Sequence, residues 1–111
     1  GLNLLTGVRT ATGLRMADGA EVTGSGTGAI GVPAAAAARP SAISAQLEKP
    51  LGPNAFPVTV HDLEPRADSV RVRSASMVAD ISPGRAAALG LTPGLQVWFT
   101  VPETEVTIYP R

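Results

Sequence analysis

The sequence predicts an all-β domain: a small closed or semi-closed barrel of short strands with one short helix near residues 83–89. Three observations predict it. Twelve Gly and ten Pro are spread along 111 residues, which cuts the chain into segments too short for long helices. Several of those segments alternate apolar and polar residues at the strand period of two. Hydrophobic residues make up 44% of the chain, enough to supply one core and to exclude general disorder.

The elements follow in order. Leu2 to Leu5 is an apolar start, and Val8 to Thr12 continues as a weakly alternating strand with β-branched threonines. Gly13 breaks it. Leu14 to Met16 and Glu21 to Thr23 flank Asp18-Gly19, a hairpin turn signal. Gly24 to Gly31 (GSGTGAIG) is a glycine-rich connection. Ala34 to Ala38 has helix propensity, but Pro33 and Pro40 confine it to a length unstable as an isolated helix. Glu48 to Pro53 (EKPLGP) is the internal boundary, giving a first, diverged β half over 1–47 and a second half over 48–111.

The second half reads more clearly. Phe56, Val58 and Val60 alternate with Pro57 and Thr59 as a half-buried strand. His61 to Asp68 is expected to be a polar connection. Val70 and Val72 alternate with Arg71 and Arg73. The apolar phase then flips to Ala75, Met77, Ala79 and Ile81, which demands a turn or bulge near Ser74 to Ser76. Ser82-Pro83 is a helix start, Gly90 a helix stop, and Thr92-Pro93-Gly94 a type II turn. Leu95 to Val101 is the cleanest strand, and Val106 with Ile108 forms the last. Two matches suggest an internal repeat. Asn3-Leu4-Leu5 is paired with Asn54-Ala55-Phe56, and Ala38 to Ser44 with Val101 to Ile108. The first copy lacks the helical segment.

Composition excludes several functions. Nine Lys plus Arg balance nine Asp plus Glu, so no broad electrostatic footprint for nucleic acid exists. With four aromatic residues and no basic stripe, an oligonucleotide-binding barrel is disfavoured. The absence of cysteine excludes disulfides and thiolate metal sites. No apolar run approaches membrane-helix length, and no signal peptide is visible. Gly26 to Gly31 fits GxGxxG, but no full helix or βαβ unit follows it, as a dinucleotide site requires. No phosphate loop of the GxxxxGK[ST] type occurs. His61, Asp62 and Glu64 share a connection with poor metal-ligand geometry. The chain is therefore read as non-enzymatic, with no catalytic residue, metal or cofactor. Arg71 and Arg73 share one strand face, either a solvated outer face or an anion- or partner-facing patch. Trp98, on the polar side of its strand, either packs in a second layer or lies in an interface.

The second half resembles the TOBE domain, a relative of the molybdate-binding Mop fold and of OB-like barrels. The residues that carry the resemblance are Asn54 to Val60 (NAFPVTV), Asp68 to Arg73 (DSVRVR) and Ile81-Ser82-Pro83. Ala86 to Leu91, Pro93-Gly94, Val97-Trp98-Phe99 and Thr104-Glu105-Val106 complete the pattern. Gly1 to Gly7 (GLNLLTG) and Arg39-Pro40 are similar to the C-terminal region of ATP-binding subunits of ABC importers, in the molybdate or tungstate flavour.

The resemblance implies a non-catalytic regulatory and dimerisation region of an importer ATPase subunit that senses a small oxyanion. Its alternative is a stand-alone Mop-type molybdate store. The implied partners are a second copy of the chain, the importer's transmembrane subunits through a parent chain, and molybdate, tungstate or sulfate, with no nucleic acid. The implied location is the cytoplasmic face of the plasma membrane. Within the family's oxyanion motifs this chain has Pro53 where the family carries Arg, and Pro102-Glu103 where it carries Lys-Ala. Two cations are lost and a carboxylate is gained, which opposes strong oxyanion binding there. Asn54 and Thr104 remain as candidate oxyanion residues, with Trp98, Arg71 and Arg73 as candidate interface residues. The family pattern also makes Ala34 to Ala38 a strand, against its propensity.

Overall fold

A computed structural model describes all residues, 1–111. Twelve strands and one short helix follow in chain order. The first seven strands are β1 (Asn3–Arg9), β2 (Gly13–Arg15), β3 (Glu21–Thr23), β4 (Ser25–Gly26), β5 (Pro33–Ala38), β6 (Ser44–Gln46) and β7 (Ala55–Thr59). Then come β8 (Asp62–Pro65), β9 (Val70–Arg73), β10 (Val78–Ile81), α1 (Pro83–Leu89), β11 (Gln96–Thr100) and β12 (Thr107–Pro110). Short 3₁₀ turns at Pro40–Ala42 and Glu103–Glu105 precede β6 and β12. The one α-helix spans seven residues, and no helix is long and apolar enough to cross a membrane.

The strands form a six-stranded sheet ordered β3-β2-β1-β5-β12-β4 and two three-stranded sheets, β10-β9-β8 and β6-β11-β7. The two central ladders repeat one register. Adding 51 to the β1 numbers and 63 to the β5 numbers converts the β1–β5 ladder into the β7–β11 ladder, so that Thr6↔Ala35 becomes Pro57↔Trp98. The same offset of 63 carries β6 onto β12. The final strands are exchanged: β6 pairs with β11, while β12 pairs with β5. A single apolar core, which includes Leu14 and Val22 of the first half and Val60, Val97 and Phe99 of the second, runs through both halves.

Local chemistry explains the elements. Ser82 caps α1 by accepting a hydrogen bond from the Arg85 N–H at 3.2 Å, Pro83 follows, and Gly90 ends the helix at φ 66°. Gly94 holds φ 91° in the turn that the Leu95 N–H closes onto the Thr92 carbonyl at 3.1 Å. The phase flip after β9 is a turn in which Ser74 Oγ accepts from the Met77 N–H at 3.0 Å and donates to the Met77 carbonyl at 2.9 Å. Pro33–Ala38 is a strand, as the family pattern implies, because β1 and β12 flank it and all five alanines are buried. Tertiary pairing overrides intrinsic propensity here. At Gly26 in the glycine-rich segment, an added Cβ would lie 1.7 Å from the Ile108 carbonyl oxygen. Only glycine lets β4 reach β12.

One sequence expectation is corrected. His61 to Asp68 is not merely a polar connection, because Asp62–Pro65 forms β8 and pairs antiparallel with β9. Its side chains are exposed or half-buried, so no apolar alternation marks it.

Candidate functional site

A cleft of about 390 Å³ opens beside β5 and β12, lined among others by Leu2, Arg39, Thr104, Glu105, Thr107 and Tyr109. Arg39 leaves the end of β5, and Thr104 and Glu105 lie in the 3₁₀ turn before β12. The strand exchange brings them together across 66 residues of chain: Arg39 Nη2 lies 3.1 Å from Glu105 Oε2. Both side chains keep substantial exposure, 65% and 42%, so the pair itself contributes little stability. Its value is positional, since it holds a guanidinium in the cleft that Thr104, Thr107 and Tyr109 also line. Charge-assisted donors of this kind are what a small oxyanion requires.

Thr104 therefore lies in a cleft with a cation. That cation is not at position 102, where the family pattern places one and this chain has Pro102. Under the offset of 63, which relates Ala38 to Val101, the first-half counterpart of Pro102 is Arg39. The sequence match of Ala38 to Ser44 with Val101 to Ile108 set Pro40 against Pro102, one residue out of this register. What the sequence could not show is that Arg39 reaches the Thr104 turn of the other half.

Asn54 is placed differently. It is 3% exposed and sits at φ 61°. Its Nδ2 donates to the Thr23 carbonyl at 2.8 Å, and its Oδ1 accepts from the Thr23 N–H at 2.7 Å. It does not line the Arg39 cleft. Asn3 makes the matching clasp on Val78, at 2.8 and 2.7 Å. Each asparagine opens one half and binds the backbone of the other.

Arg71 and Arg73 are drawn into ion pairs on the β8–β9–β10 sheet. Arg71 grips Asp80, its register partner, through two hydrogen bonds of 2.8 and 2.9 Å. Arg73 lies 3.2 Å from Glu64 and 3.7 Å from Asp62, so those two carboxylates face a guanidinium. Trp98 is half-buried beside a groove lined by Leu47, Pro57 and Gln96, with Lys49 Nζ 5.5 Å above its ring centroid.

The hydrogen bonds from Arg71 hold the Asp80 carboxyl below its usual range, against an opposing effect of burial. A lowered folded value stabilises the protein above the ordinary carboxylate range, and that stability is lost as pH falls through the lowered value. Thermal melts of Asp80→Asn are thus expected to start below wild type at neutral pH and to converge with it in strong acid. A gap unchanged down to pH about 2, well below the usual Asp value, would contradict the assignment.

Residues 52–108 match the TOBE domain. The chain belongs to the TOBE domain family. No curated protein matches it. Among solved structures, it resembles ModG, described as a cytoplasmic molybdate-binding protein and solved with molybdate bound. The TM-score is 0.86 at 17% sequence identity, covering 98% of this chain and 96% of that one. At this identity the likeness is one of fold, and it includes the first half, which lies outside the TOBE match.

Proposed function

We propose that this chain is a non-catalytic oxyanion-binding domain of the Mop type, taking molybdate or tungstate at the Arg39–Thr104 cleft. The observation that carries the reading is the cation that strand exchange delivers to the Thr104 turn, 3.1 Å from Glu105. The bound molybdate and 96% coverage of ModG support it, as does the TOBE match. An arriving dianion competes with the Glu105 carboxylate for Arg39, so binding swings or displaces that acid.

The first-choice reading of the sequence, a regulatory and dimerisation region of an importer ATPase subunit at the cytoplasmic face of the membrane, ranks second. It rests on Gly1 to Gly7 and Arg39-Pro40. An upstream phosphate loop in the same reading frame would favour it, and it shares the same anion cleft.

Calorimetric titration with molybdate, tungstate and sulfate tests the proposal. Saturable binding of molybdate is expected, weakened about tenfold or more in Arg39→Ala, the scale of one lost charge-assisted hydrogen bond. Glu105→Gln is expected to tighten binding, since it frees Arg39 and removes a negative charge. Absence of saturable heat with any of the three anions at millimolar concentration overturns the reading.

A further inference from the structure

The six-stranded sheet ends on its shortest strand. β4 is only Ser25–Gly26, yet it covers the outer edge of the four-residue β12. It is attached there by two register pairs, Thr107↔Ser25 and Ile108↔Gly26, and by the Thr27 N–H, which donates to the Ile108 carbonyl at 3.0 Å. The segment that carries it, Gly24 to Gly31, holds four glycines. Ordering such a segment costs more backbone entropy than ordering residues with side chains. So short a ladder needs an anchor from elsewhere.

Arg9 supplies it. Its backbone pins the far end of the segment: the Arg9 N–H donates to the Val32 carbonyl at 2.9 Å, and its carbonyl accepts from the Gly31 N–H at 2.8 Å. Its guanidinium reaches the near end. Nη1 donates to the Thr10 and Gly13 carbonyls at 3.1 and 3.0 Å, and Nη2 to the Gly26 carbonyl of β4 at 3.4 Å. No carboxylate lies within 4.0 Å of Arg9, and its Nε is buried without a partner. The charge is thus held by main-chain carbonyls and by no acid. The other half shows that the fold itself does not demand this cation. The offset of 51 carries Arg9 to Val60, which repeats both backbone bonds, to the Leu95 carbonyl at 2.9 Å and from the Gly94 N–H at 2.8 Å. Its side chain is apolar and buried in the core. There the offset of 63 carries Ser25–Gly26 to Ala88–Leu89, within α1. The guanidinium stands only in the half whose edge is closed by a glycine strand.

We propose that Arg9 is a latch that keeps β4 closed over the β12 edge, and that β4 is a releasable cover of that edge. One residue ties β1, the turn after it and β4 together, while its backbone holds the return of the chain. Opening the latch uncovers the Ile108 carbonyl and the outer side of β12, an unpaired edge of the kind that recruits another strand. The proposal does not rest on the anion reading of the Arg39 cleft.

The test is native-state hydrogen exchange of the whole chain, followed residue by residue by NMR. Arg9→Met keeps much of the side-chain bulk and removes the donors. The Thr27 amide should then exchange about tenfold faster or more, the scale of one lost charge-assisted hydrogen bond. The factor at Thr27 should exceed that at Phe99 in β11. Arg9→Lys keeps the charge without the fork of donors, so its effect should fall between, and it carries the test should Arg9→Met not fold. Gly26→Ala opens the cover from the other side, because its Cβ would lie 1.7 Å from the Ile108 carbonyl oxygen. Adding Arg9→Met to Gly26→Ala should speed Thr27 exchange little further. An unchanged Thr27 rate in the Arg9 variants, an equal rise at Thr27 and Phe99, or effects of the two substitutions that multiply in full overturn the latch.

Discussion

Asn54→Ala is expected to lower the unfolding free energy by about 2–4 kcal/mol. The estimate follows from the two partners it strands. The Thr23 N–H and carbonyl each lose a hydrogen bond of 2.7 or 2.8 Å, and an unsatisfied backbone group costs about 1–3 kcal/mol, toward the lower end where water regains access. Alanine must also adopt the left-handed conformation that Asn54 holds at φ 61°, which disfavours it by roughly 1 kcal/mol more. Asn54→Gly removes that backbone strain and should recover the smaller part only. Asn3→Ala strands Val78 in the same manner and should cost a comparable amount. Urea denaturation reads these values. A change in Asn54→Ala smaller than about 0.5 kcal/mol, the ordinary surface range, would show that the clasp is not a source of stability. Oxyanion titration of the folded variant adds an independent readout. Unchanged affinity is expected. A lost affinity with stability intact would make Asn54 a ligand group instead of a structural clasp.

Asn54 also marks where sequence reasoning ends. Its position was legible, because it opens a repeat that begins again at Asn3. Its role was not, because that depends on Thr23, which lies 31 residues away. Elements defined by local chemistry were legible throughout. Ser82-Pro83 and Gly90 bracket α1, Thr92 to Gly94 forms the turn, and the alternation from Leu95 marks β11. β8 escaped because a strand on a solvent-facing sheet needs no apolar alternation, and its only apolar side chain besides Pro65 is Leu63. The alanine run misled propensity for the opposite reason: β5 is central in its sheet, and its neighbours decide its conformation. The exchange of β6 and β12 leaves no trace in periodicity, since a strand carries the same pattern whichever partner it takes. Arg39 was therefore visible as a residue and invisible as the cation of the Thr104 turn.

Phe99→Ala is expected to cost about 3–5 kcal/mol, the usual range for an aromatic truncated in a core. Phe99 on β11 is fully buried. Its register partners are Phe56 on β7 and Ala45 on β6, and a side chain as small as Ala45 cannot fill the void. The loss should be felt by both halves, because β6 belongs by sequence to the first and β11 to the second. Equilibrium denaturation followed at Trp98 should coincide with far-ultraviolet dichroism, both shifted together to lower urea. Leu51→Ala, a truncation at a fully exposed loop position, should leave the transition within about 0.5 kcal/mol of wild type. A Phe99→Ala transition in which the Trp98 signal is lost while most strand dichroism persists would mean that the halves unfold separately. Such separation would contradict the shared core, and with it the premise that Arg39 and Thr104 are held together by one cooperative unit. Coincident loss ties the anion cleft to the exchanged strands, since Arg39 and the Thr104 turn meet only while β12 stays paired with β5.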